Sequence, residues 1–451
     1  MAKRVLVVGG NAAGMTAASR AKRLQPELDI TILEAGPFIS YSICGLPYYI
    51  AGMVERHEDL LTFTPEKLES ERGIKALTGV RAEEVRPGRR SLLCTEVETN
   101  REFELDYDLL ILSTGYRPRV PSMEGLELEG VWTVSRLEDG IRIQEAAGFG
   151  SRVAIVGGGY VGLMMAHGLG RRGLEVTVFE RNRHLFGQVD EDMAEVIEEE
   201  LRSNGVRLML DAPVRRLVGR NGVFEGVEMG RETYPADLAL IDVGIVPNTE
   251  LAERSGIGLG LSGGIQVDGR GQTALPAVYA AGNCAETRHL VSGRPIFSAL
   301  GTTAAQQGRV VGENVAGRRS FFPGSLETSI EKVFSLGVSR TGLTLRQALD
   351  QGFEASCAQV TGRERAGYYP DCGPMRVKLI FERPNGRLLG GQIVAGHSAA
   401  KRIDTLVAAL TAGMTLRDLS QLNLAYAPPF GTLWDPLQIA ANVGRRELER
   451  W

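Results

Sequence analysis

The sequence is poor in the residues that build metal centres and disulfide frameworks. Its 451 residues include only five cysteines and five histidines. The cysteines, Cys44, Cys94, Cys284, Cys357 and Cys372, are odd in number and form no CxxC pair. That spacing excludes a disulfide scaffold and a zinc ribbon, and points to a reducing, cytoplasmic setting. No apolar run reaches the ~18 residues of a membrane span, and the stretch behind Met1-Ala2-Lys3-Arg4 is too short for a signal peptide. Neither sign of charge dominates: 51 Lys and Arg against 55 Asp and Glu give a net charge of −4. Nothing in that balance points to nucleic acid.

Glycine is abundant, 56 residues, with no collagen-like period. Tight turns and close backbone approaches account for it. Arg4–Val8 reads as a buried strand, followed by Gly9-Gly10-Asn11-Ala12-Ala13-Gly14, an Ala-rich helix to about Leu24, and a strand Leu28–Leu33 ending at Glu34. The pattern recurs in Arg152–Val156, Gly157-Gly158-Gly159-Tyr160-Val161-Gly162, a helix, and Glu175–Phe179 ending at Glu180. In each copy the strand, the glycine turn and an acid about 20 residues on suit a dinucleotide: a tight turn, a backbone that approaches a pyrophosphate, a helix N-terminus aimed at it, and a ribose contact. Two copies argue far more strongly than one. In the first, Asn11 stands in place of the middle glycine. From about Leu326 onward, strand-like runs (Met375–Phe381, Leu388–Val394) alternate with a helical stretch, Ala400–Ala412, after turn residues at Phe321-Phe322-Pro323-Gly324. The expected fold is α/β, with two Rossmann-like dinucleotide-binding domains and a C-terminal α+β domain.

Between these units lies Ser40-Tyr41-Ser42-Ile43-Cys44-Gly45-Leu46-Pro47-Tyr48-Tyr49. Cys44 precedes a predicted helix that admits Pro47 in its first turn. A thiol at a helix N-terminus has its pKa lowered, which predicts a reactive thiolate. No second cysteine lies nearby to form a local redox disulfide, and the other four cysteines show no activating context. Thr16, Arg20 and Arg23 fall on one face of the first helix, where they suit an anionic substrate.

On these motifs the chain resembles the pyridine-nucleotide disulfide oxidoreductases, in the single-cysteine branch that holds coenzyme A disulfide reductase, NADH oxidase, NADH peroxidase and NAD(P)H persulfide/polysulfide reductases. The likeness extends to Tyr107–Gly115, which resembles the strand closing the FAD domain, and to Thr273–Asn283, which resembles the second FAD motif. Gly244–Thr249 resembles the segment leaving the NAD domain, while Leu424–Phe430 and Tyr368-Tyr369-Pro370 resemble dimerisation motifs of the coenzyme A disulfide reductases. The resemblance implies an FAD domain from 1–118 and 246–322, an NAD(P) domain from 119–245, and a dimerisation domain from 323–451, in a homodimer. No further domain is expected beyond it. FAD contacts are implied at Gly9, Gly10, Asn11, Ala12, Ala13, Gly14, Glu34, Ala35, Val80, Thr114, Gly115, Gly282 and Asn283. Nicotinamide-dinucleotide contacts are implied at Gly157, Gly159, Tyr160, Val161, Gly162, Glu180, Arg181 and Gly244. Cys44, Tyr368 and Tyr426 are the implied catalytic residues, and Thr16, Arg20, Arg23, Ser40 and Arg72 the implied contacts of a coenzyme A-linked substrate or adduct.

Oxidases and peroxidases of the branch carry a histidine inside the first glycine loop; here that place is Ala12, as in coenzyme A disulfide reductases. The expected activity is NAD(P)H-dependent reduction of a coenzyme A disulfide, mixed disulfide or persulfide. An NADH oxidase and a low-turnover redox sensor are the alternatives. Glu180 favours NADH, while Arg181 and Arg183 offer partners for a 2′-phosphate. Several positions depart from the family pattern: Ile43 beside the cysteine, Met164 where the NAD motif has Glu, Asn283 for Asp, Asp371 for Gly, and Trp434 where some relatives are basic.

Overall fold

The computed structural model describes residues 2–148, 150–396 and 399–449. The first sheet is parallel, in the order Val278–Ala280, Leu109–Leu112, Arg4–Val8, Asp29–Glu34, Lys75–Thr78. Val5, Leu6, Val7 and Val8 are all buried, as a strand covered on both faces requires. Chain order reverses at Arg4–Val8, because the next strand in sequence lies on one side and the later ones on the other. The crevice beyond the carboxyl ends of such strands is where α/β sheets bind ligands. Helix Ala12–Leu24 packs against Gly301–Val315 at very short range, since a Cβ on Gly308 would stand 2.3 Å from the Ala13 carbonyl oxygen.

The second sheet repeats the design with the order Arg207–Met209, Glu175–Phe179, Arg152–Val156, Leu238–Ile241, Val131–Trp132, again parallel. It joins the first unit through two strands, Tyr116–Pro118 and Ile245–Pro247, paired antiparallel. The third sheet is antiparallel: Ser329–Val333, Leu336–Gly342, Leu388–Gly396, Pro374–Glu382, Ala355–Arg363. Helices Ile403–Thr411 and Pro436–Leu448 cover one face of it, around Phe381, Leu379 and Leu406. The predicted helix from Ala400 opens as a 3-10 turn, Ala399–Arg402, before the α-helix begins.

The three units share packed surfaces. Helix Leu46–Ile50, just after Cys44, lies between Leu137–Ala146 and Tyr160–Arg171. Its Leu46 and Ile50 belong to one core with Leu163 and Val333. Lys378, buried in the third sheet, bridges Asp192 at 2.7 Å and Asp190 at 3.2 Å. Gln392 donates to the same Asp190 at 2.7 Å. No described helix is long and apolar enough to cross a membrane.

Candidate functional site

The first glycine turn is built for close approach. Gly9 has φ +102, and a Cβ there would stand 2.1 Å from the Ser113 carbonyl oxygen; only glycine fits that conformation and that space. The Ser113 hydroxyl donates to the Val8 and Gly9 carbonyls at 2.8 and 3.1 Å, fixing the turn from the neighbouring strand. The helix that follows has no side-chain cap, so its first N–H groups stay free for a phosphate. Glu34 accepts from Gly10 N at 2.9 Å and from Gly36 N at 3.1 Å. Asn11, the departure from the glycine pattern, accepts from Tyr41 N at 3.1 Å. Together with the Ser40 N to Gly10 O bond, 2.8 Å, it ties the glycine turn to the segment that carries Cys44.

These elements enclose a cleft of about 690 Å³. Gly9 to Ala13, Glu34, Ala35, Val80, Thr114, Gly115, Gly282 and Asn283 line it, and so do Thr16, Ser40 and Cys44. Gly14 lies beneath the turn, where a Cβ would meet Gly9 O at 2.0 Å. Gly282 N donates to Gln307 at 2.8 Å and the Asn283 amide to Ser298 O at 2.7 Å, so the second motif is pinned beside the first. An elongated cradle with an uncapped helix N-terminus, an acid at the ribose end and a thiol in its wall fits FAD.

The second turn follows the same logic. Gly157 has φ +112, and a Cβ there would lie 1.8 Å from Asp242 O. Gly159 caps helix Tyr160–Arg171 without a side-chain bond. Glu180 is buried and accepts from Gly158 N (2.8 Å), Asn182 N (2.8 Å) and Asn182 Nδ2 (2.7 Å). Val161 is half-buried in the first turn of this helix, Arg181 is exposed, and Gly244 (φ +103) accepts from Arg119 N at 2.9 Å through its carbonyl. Asp242, unmarked by the sequence motif, accepts from Gly162 N at 2.7 Å, and burial pushes its carboxyl up to about 6. These residues fit a nicotinamide dinucleotide.

Cys44 overturns one expectation. It sits inside a 3-10 turn, Ile43–Gly45, ahead of a helix of only five residues, Leu46–Ile50. So short a helix supplies little dipole. Cys44 is exposed to the cleft, yet the protein mass around its sulfur desolvates the thiolate, and burial followed by the Glu331 charge pushes the thiol up rather than down. Tyr116 lines the same cleft, and burial pushes it up to about 12. Neither Tyr116 nor Glu331 carries a motif that would reveal it in the sequence.

All five cysteines are free, and among the described residues no acid, histidine and cysteine cluster could hold a metal. Thr16, Arg20 and Arg23 share a depression of about 410 Å³ with Met15, Ser19 and Arg309. Arg20 is ion-paired there with Glu313. Arg72 lies outside both clefts, with its guanidinium 5.2 Å over the Phe63 ring. Tyr368 and Tyr426 are exposed and hydrogen-bonded to each other, which pushes the Tyr426 hydroxyl up. Neither lines the Cys44 cleft of its own chain. Phe430, Leu433 and Trp434, close to Tyr426 in sequence, are exposed as well.

The pyridine nucleotide-disulphide oxidoreductase family matches residues 3–308, and its dimerisation domain matches 329–435. The chain is 36% identical over 446 residues to an NAD(P)H coenzyme A polysulfide/persulfide reductase of Pyrococcus horikoshii, covering 98% of each chain. It is 34% identical over 449 residues to an NADH oxidase of Methanocaldococcus jannaschii, covering 99% of each. An NAD-dependent persulfide reductase from A. fulgidus superposes with a TM-score of 0.96 at 37% identity, over 99% of this chain and 84% of that one. The chain thus belongs to the pyridine nucleotide-disulphide oxidoreductase family as an NAD(P)H-dependent flavoprotein disulfide reductase.

Proposed function

We propose that this protein reduces a coenzyme A-linked disulfide or persulfide through Cys44 as its single redox-active sulfur. The observation that carries the reading is the position of Cys44 in the wall of the FAD cleft, on a segment bonded to the glycine turn itself. When bound, FAD accepts hydride from NAD(P)H and passes an electron pair to sulfur. The chain's own contribution is placement. The first glycine turn and Glu34 hold one dinucleotide, the second glycine turn and Glu180 hold the other, and the turn Ile43–Gly45 presents the thiol. Attack by the Cys44 thiolate on a disulfide expels one thiol and leaves a mixed disulfide; two-electron reduction of that bond, with the electron pair drawn from NAD(P)H, releases the second thiol and restores the Cys44 thiolate. The arginine-lined depression beside Thr16 supports an anionic group on the substrate. The exposed aromatic surface bearing Tyr368 and Tyr426 supports a homodimer in which these hydroxyls serve the partner's cleft.

The relative named NADH oxidase supports a second reading, oxygen reduction; Ala12 in the first glycine loop disfavours it. Parallel assays separate the two. NADH consumption dependent on coenzyme A disulfide, with little oxygen uptake, is expected. Stoichiometric oxygen uptake that coenzyme A disulfide does not alter overturns the proposal in favour of the oxidase.

A further inference from the structure

Strand Ser329–Val333 opens the third sheet and packs against helix Tyr160–Arg171. Side chains alternate along a strand, so Ser329, Glu331 and Val333 share one face. Both outer members of that trio are anchored. The Tyr160 hydroxyl bonds Ser329 Oγ. Val333 is fully buried in the core that contains Leu46, with Ile43 and Tyr160 packed on it. Ile43 and Leu46 flank the cysteine, and the helix that begins at Leu46 packs on the same helix Tyr160–Arg171 as this strand, so Glu331 faces a helix that the Cys44 segment also lies against.

The helix side gives the same placement. Tyr160, Met164 and His167 lie on one helical face. Tyr160 meets Ser329, and His167 Nδ1 accepts from Phe334 N at 3.0 Å. Met164, between them, is the residue set opposite the middle of the strand. The backbone of Glu331 is paired opposite Val338, but among the described residues its carboxylate has no hydrogen bond or ion pair. Its own strand carries Lys332, with Glu327 just before it, and the elements around it carry Cys44 and Tyr48 on the active-site turn and helix, Tyr160, His167 and Arg171 on helix Tyr160–Arg171, Arg340 on the paired strand, and Glu200 on helix Glu191–Ser203. Glu200 is taken up by Ser335 N, and Arg340 by the Gly342 carbonyl. A partly buried carboxylate without a paired counter-charge is costly to ionise, and burial pushes Glu331 up to about 8. Its charge bears on both Cys44 and Tyr48.

We propose that Glu331 is a positioning residue for Cys44: while protonated it tolerates a thiolate beside it, and once ionised it opposes one. The inference rests on the reading of Cys44 as the redox-active sulfur, which cycles between an uncharged disulfide bond and a thiolate. Reduction and nucleophilic attack both need the charged form, so an ionised carboxyl beside the sulfur moves the onset of the sulfur step to higher pH.

The test is the pH dependence of Cys44 alkylation by iodoacetamide in the NADH-reduced flavoprotein, followed by peptide mass. Glu331→Gln, nearly isosteric, is expected to move the Cys44 titration to lower pH and to raise its rate at pH 8.5 roughly three- to tenfold. Glu331→Lys is expected to move it further the same way. An ordering Lys, Gln, Glu from low to high pH supports the proposal, because a merely structural effect does not follow charge. Coincident Gln and wild-type profiles overturn it, even if the Lys variant fails to fold. Failure of the underlying functional reading looks different: Cys44→Ser would then retain disulfide turnover whatever the alkylation profiles show.

Discussion

Glu180 offers the sharpest quantitative test of the nicotinamide site. Its carboxylate accepts three N–H groups of the chain at 2.7–2.8 Å, which fixes both oxygens at the place the proposed reading gives to a ribose edge. Glu180→Gln keeps the shape, removes the charge and turns one oxygen into a donor. A hydrogen bond from a ribose hydroxyl to a charged group is worth about 1.5–3 kcal/mol, so NADH loses that much. NADPH gains instead. Two unit charges about 5 Å apart repel by roughly 3 kcal/mol at an effective dielectric of 20, and that repulsion of a 2′-phosphate disappears. Exposed Arg181 and Arg183 remain to receive the phosphate. Screening reduces the second figure, so the ratio of kcat/KM for NADH over NADPH should fall on the order of 10²-fold, about 3 kcal/mol. The assay is flavin reduction by each nucleotide in stopped flow, with melting temperature recorded alongside. A ratio that moves less than about threefold in a folded, flavin-loaded variant refutes the reasoning, since about 0.6 kcal/mol is all that such a change represents.

Cys44→Ser should lower disulfide turnover on the order of 10³-fold or more while leaving flavin bleaching by NADH intact; stopped flow and a coupled assay read the two halves. Gly9→Ala, with its Cβ 2.1 Å from Ser113 O, should give protein that loses its yellow colour on gel filtration. Lys378→Met leaves Asp190 and Asp192 without their shared counter-charge, costing roughly 3–5 kcal/mol in denaturant unfolding. Burial pushes His167 and His289 down to about 4. Their folded values lie below the unfolded value near 6.5, so the unfolded chain binds more protons between those limits. Stability should therefore fall as pH drops from about 6.5 toward 4, by up to roughly 3 kcal/mol per histidine, and His167→Asn should shallow that slope.

The dinucleotide units were legible because their signal is local. A glycine with positive φ beside a strand, and an acid one strand later, are set by backbone sterics within about 30 residues. The segment carrying Cys44 was legible for the same reason. Its electrostatics were not, because the Glu331 charge that bears on the thiol belongs to the third sheet, about two thirds of the chain away. The shared face of Thr16, Arg20 and Arg23 followed from helical spacing, but the capture of Arg20 by Glu313 depends on the later helix laid against the first. Asp242 escaped notice because it lies past the end of a strand, with no motif of its own. Tyr368 and Tyr426 were found through resemblance, and a single chain leaves both at the surface.

The second nucleotide unit hangs from the first by two short strands that run side by side, Tyr116 opposite Pro247 and Pro118 opposite Ile245. Entry and exit thus share one doorway, and the flavin fold closes behind it without threading. An inserted module with adjacent ends can be exchanged as a cassette: a few turn residues across that doorway would seal the host, and a different donor unit grafted at the same points would enter and leave by the same pair of strands.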